Sequence, residues 1–84
     1  MNDIADLQAQ LMAMRLAVEG LWLSLLTPDP QAIEHVVRMR EENSKAIAQL
    51  DASSDAARVM RDAVRKHVEQ LWGSIEWQLR EARK

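Results

Sequence analysis

No cysteine occurs among the 84 residues, so neither a disulfide nor a thiolate metal site can brace the fold. Glycine and proline are scarce, two of each, and both prolines fall in Thr27-Pro28-Asp29-Pro30. A strong charge of one sign is missing too: residues 1–26 carry −2, 27–52 carry −2 and 53–84 carry +2, giving a net −2. No block is basic enough for its field alone to draw in nucleic acid, which is not expected as a partner. A secretory leader needs a basic stretch ahead of its apolar core, and the opening Met1-Asn2-Asp3 with Asp6 supplies none. The expected location is therefore the cytoplasm.

What remains is dominated by helix formers, and the length fits one domain over 1–84. The residue before each proline is pushed out of the α region, which ends a first helix near Leu26. Asp29 then suits an N-cap, with Pro30 at the first helical position, where its missing N–H costs nothing. Asp51-Ala52-Ser53-Ser54-Asp55 is the second break, with Ser53 or Ser54 as the next N-cap. The expectation is an all-α, up-down-up unit with helices over about 3–26, 30–51 and 54–82.

The stretch Leu11–Leu26 is the most telling, because only Arg15 and Glu19 are charged in it. Ile4, Leu7, Leu11, Met14, Val18, Leu21 and Leu25 form a heptad stripe. Met12, Leu16, Leu23 and Leu26 form a second, and Ala9, Ala13, Ala17, Gly20 and Ser24 a strip of small residues that lets backbones approach. A helix apolar nearly all round must be covered on several sides. Two partner helices can hardly do this, so self-association, most simply a homodimer, is expected. Its candidate contacts are Ala9, Ala13, Ala17 and Gly20, with Leu16 and Leu23. The apolar run is shorter than the ~20 residues that span a bilayer, Arg15 and Glu19 interrupt it, and the helix lacks the basic face of an interfacial one. A membrane partner is not expected.

The third helix carries Ala57, Met60, Val64, Val68, Leu71, Trp72, Ile75, Leu79 and Ala82 on one side. Glu76 precedes Arg80 by four residues, the favourable order for an ion pair. Trp22 and Trp72 fall near the same end and are expected to pack together. In the second helix, Arg40 and Asn43 interrupt the stripe Ile33, Val36, Val37, Ile47 and Leu50. A tight hairpin near Ala52 would set Arg40 opposite His67. The expected outcome is a polar core layer of Arg40, Asn43 and His67 that fixes register, with a ligand pocket as its competing reading.

Chemistry is thinly represented. The residues three before His35 and His67 are Ala32 and Val64, which rules out the Glu-x-x-His pairs of di-iron bundles, and no HExxH is present. No nucleophile accompanies an acid–base pair, so neither catalysis nor a cofactor is expected. Trp77 projects opposite its helix's apolar stripe and marks a candidate partner contact with Arg80 and Gln70. Arg58, Arg61 and Arg65 line one flank as possible phosphate contacts, although Asp62 and Glu69 alternate with them. The leading expectation is a non-enzymatic interaction protein: an adaptor, regulator or inhibitor with an unidentified protein partner. A nucleic-acid-associated dimeric regulator and a carrier of a hydrophobic ligand between the first and third helices are the alternatives.

Overall fold

A computed structural model describes residues 3–84 and contains three helices: α1 (Asp3–Leu26), α2 (Ala32–Ala48) and α3 (Asp55–Ala82). Met1 and Asn2, part of the stretch scanned for a leader, lie outside the described residues. No strand occurs among the described residues, as an all-α chain requires. The helix boundaries follow the punctuation closely. Thr27 donates from both its amide and its hydroxyl to Leu23 O, closing the last turn of α1. The Asp29 carboxylate accepts the Gln31 amide at 2.8 Å and so shapes the turn, but the N-cap position falls on Gln31, which makes no side-chain cap bond, and regular α-helix begins at Ala32 rather than Pro30. The Ser54 hydroxyl accepts the Ala57 amide at 3.1 Å and caps α3. Helix α2 stops at Ala48, three residues before the expected end.

The contacts between α2 and α3 run in opposite senses along the chain. Asn43 meets Trp72, Arg40 meets Glu76, and Arg83 at the end of α3 reaches back to the α1–α2 turn. That turn is held by Arg83, which donates to the carbonyls of Asp29 and Pro30. The core lies at one end of the molecule. Leu26, Ala32, Val36, Trp72, Ile75 and Leu79 are buried together, with Trp22, Leu23, Ile33, Met39, Val68 and Leu71 packed around them. Trp22 and Trp72 meet edge to face, ring centroids 5.4 Å apart, as their expected shared end requires.

Away from that end the helices are poorly covered. Met60, expected on the packed side of α3, is 66% exposed, because the first turns of α3 run past the end of α2. The Cα radius of gyration is 15.1 Å, against about 12 Å for a compact chain of this length. The accessible surface is 6306 Å², whereas a folded monomer of this mass exposes about 5,100 Å².

Asp51 organises the α2–α3 connection by accepting the Ser53 amide at 3.0 Å. The Ser53 side chain, and secondarily its backbone, hold the Asp51 carboxyl below its ordinary value of 3.8. An NMR titration of Asp51 should therefore show a midpoint under that value. The sign follows from linkage: this contribution to stability is present above the unfolded-state pKa and is lost as pH falls through the folded one. For the core, Ile75→Ala should cost about 2–5 kcal/mol in urea unfolding. Val59→Ala, at an exposed position, should stay within about 0.5 kcal/mol.

Candidate functional site

Helix α1 offers three faces to its surroundings. One face of its last two turns, carrying Glu19, Trp22, Leu23 and Leu26, packs on the α2–α3 hairpin. At 3.6 residues per turn the heptad stripe lies about 100° around the helix from that face. Its members Ile4, Leu7, Leu11, Met14, Val18, Leu21 and Leu25 are between 40% and 70% exposed. The small-residue strip lies about 130° to the other side, and Ala9, Ala13, Ala17 and Gly20 are all exposed. A Cβ added at Gly20 would meet nothing within 4 Å. Of the six self-association candidates, Leu16 is also exposed, but Leu23 packs against the core of its own chain.

By length and composition the 24 residues of α1 could cross a membrane, and only 11% of the most apolar window is buried. The complete helix thus exceeds the sixteen-residue apolar run Leu11–Leu26 read from the sequence. However, the hairpin grips it from Glu19 onward, and the sixteen residues before that point measure about 24 Å at 1.5 Å per residue. A bilayer core is about 30 Å thick.

Glu19 is 7% exposed and the one buried charged residue among those described. One carboxylate oxygen lies 3.6 Å from Arg15 Nε, and the other is buried with no hydrogen-bond partner. Above Glu19, α1 and α3 diverge and leave an apolar cleft of about 650 Å³. Leu11, Met12, Val18, Val68 and Leu71 line it, with Gln8, Arg15 and His67 at its polar places. The sequence named the space between the first and third helices only as an alternative ligand site, because no periodicity tells where two helices part.

The polar layer expected of Arg40, Asn43 and His67 is not assembled. Arg40 Nε lies 3.0 Å from Glu69, its Nη1 lies 3.4 Å from Glu76, and its Nη2 would be 3.2 Å from a Cβ at Gly73. Gly73 stands six positions, about 9 Å, beyond His67. The reason is the connection: it is no tight turn at Ala52 but folds back along α3, where Arg58 donates to Ala52 O at 3.1 Å. Asn43 accepts the Trp72 indole N–H at 3.1 Å, and exposed His67 turns to the α1 cleft instead. The register is therefore fixed by Arg40 and Asn43 with Glu69, Trp72 and Glu76.

The flank of α3 is internally paired. Arg58 bonds Asp55, Arg65 lies 3.4 Å from Asp62, and Arg61 Nε lies 3.7 Å from the same carboxylate. These pairs neutralise much of the field a phosphate would seek. On the opposite face Trp77 is 63% exposed. Gln70, two turns earlier, is exposed beside it, and Arg80 donates to Glu76 at 3.0 Å in the expected i, i+4 pair. Among the described residues no cluster of three His, Cys, Asp or Glu could hold a metal ion. Compared with known proteins, the chain matches no family model, no curated sequence and no solved structure.

The Asn43–Trp72 bond gives a direct check on register. Asn43→Ala leaves a buried indole N–H without its acceptor and should cost about 1–3 kcal/mol in urea unfolding. In Trp72→Phe the same substitution should cost measurably less, since the donor is already gone.

Proposed function

We propose that this chain is a non-enzymatic, cytoplasmic interaction protein, an up-down-up three-helix unit that works by docking α1 on another helical surface and self-associates as a homodimer. The observation that carries this reading is the exposed heptad stripe of α1. Full burial of a large apolar side chain is worth about 1.5–3 kcal/mol, and these residues, 40–70% exposed, leave roughly half of that unrealised; a contiguous apolar patch of this size marks an interaction surface. The surface excess of about 1,200 Å² over a typical folded monomer exceeds the ~800 Å² that each partner contributes to a standard interface. The short reach of α1 beyond the hairpin, and the Arg15–Glu19 pair within it, favour a protein surface over lipid. Trp77, Gln70 and Arg80 form a second, smaller face suited to an unidentified protein partner.

The α1–α3 cleft favours a second reading, in which the bundle carries a hydrophobic ligand. Its volume falls in the 300–1,000 Å³ range of small-molecule sites. The nucleic-acid alternative has less behind it, because Arg58, Arg61 and Arg65 all have acidic neighbours.

Light scattering at about 100 µM should give at least twice the 9.6 kDa chain mass. The double variant Leu11→Glu/Met14→Glu should run as a helical monomer, since two exposed residues are changed and the core at the other end is untouched. A monomeric parent chain that also releases no ligand in native mass spectrometry would remove both readings.

A further inference from the structure

We infer that the occupant of the exposed α1 face is the α1 of a second copy, running antiparallel and meshed through the heptad stripe rather than the small-residue strip. This inference rests on the self-association proposed above and adds its surface, direction and register.

Three observations select it. The first is spacing. Alternating steps of three and four residues keep one seam facing a neighbouring helix and let knobs enter holes. The centre of this seam lies about 100° from the face the hairpin grips, and although Leu11 and Val18 border the cleft beside α3, every member of the seam stays at least 40% exposed. The seam is therefore patterned for more cover than α3 gives it across the cleft. The second is side-chain volume. Leu7, Leu11, Met14, Val18 and Leu21 all carry large apolar groups and are all at least 40% exposed. The strip of Ala9, Ala13, Ala17 and Gly20 has little apolar surface to bury and gains correspondingly less.

The third is the placement of the hairpin and the charges. The hairpin flanks only the C-terminal third of α1. A parallel pair would set two hairpins side by side at one end and four carboxylates, Asp3 and Asp6 of each copy, at the other. An antiparallel pair separates both sets and lays each hairpin beside the partner's projecting half. The two-fold axis then passes between Met12 and Ala13. Leu11 of one copy packs against Met14 of the other, and Leu7 against Val18, each layer occurring twice. Along the flanks Gln8 faces Arg15 and Asp3 faces Ser24, so no like charges are opposed across the seam. A pair closed in this way is isologous and stops at two copies.

The absence of cysteine makes the register directly testable by mild copper-phenanthroline oxidation. In the double variant Leu7→Cys/Val18→Cys, disulfide-linked dimers should form in the majority of chains. Leu7→Cys alone and Val18→Cys alone should remain mostly uncrosslinked, at least about tenfold below the double variant. Both positions are exposed in the single chain, so helicity by circular dichroism should be unchanged. Ala13→Leu should leave the dimer intact. Cross-linking of Leu7→Cys alone would show a parallel pair and overturn the inference. So would loss of the dimer in Ala13→Leu, or a dimer by light scattering in which the double variant does not cross-link. These three results would leave self-association standing. A parent chain that is monomeric by light scattering, or that partitions with phosphatidylcholine vesicles on flotation instead of pairing, would overturn both.

Discussion

The structure turns on a mismatch of supply: α1 has apolar side chains on nearly every side, and the α2–α3 hairpin has one groove to offer. That groove receives Glu19, Trp22, Leu23 and Leu26, and it lies where all three helices converge. The edge-to-face contact of Trp22 with Trp72 anchors the junction. Everything N-terminal of it departs from the hairpin, so burial is concentrated at one end and hydrophobic exposure at the other. Such polarity is costly for a solitary small domain, whose margin is only several kcal/mol.

Within the hairpin, polar groups set alignment where apolar contacts alone would tolerate sliding. Arg40 lies between Glu69 and Glu76, a turn apart on either side of Gly73. Shifting α2 by one helical turn would separate the guanidinium from one carboxylate and strip the Trp72 indole of its acceptor. These groups are half-buried, so their pairing is worth more to alignment than to net stability. Glu19 is a different case, since burial of a carboxylate with one oxygen unsatisfied opposes docking of α1 rather than assisting it.

Helix existence and limits were legible because their causes are local. The Pro28–Pro30 pair, Asp29 and Ser54 act through backbone geometry and nearby amides, and each did so within about two residues of expectation. The exposed Trp77, the paired tryptophans and the Glu76–Arg80 bridge follow equally from spacing on one helix. Two things were not legible. Periodicity says which residues share a face of α1 but not which face turns inward, so both the heptad stripe and the second stripe remained eligible. The hairpin register also depended on the path of residues 49–54. Asp51, Ser53 and Arg58 fold that segment back along α3, which displaced Arg40 from His67 and left Met60 uncovered.

The bend between α1 and α2 is held from a long way along the chain. Arg83 lies 54 residues beyond Asp29, yet its guanidinium clasps the two carbonyls at the bend where α1 hands over to α2. The last turn of the chain thus acts as a latch on its first corner. Those carbonyls belong to the short bend on which the packed end of α1 and the start of α2 both rest, so this clasp ties the far end of α3 into the same junction that buries Leu26 and Ala32.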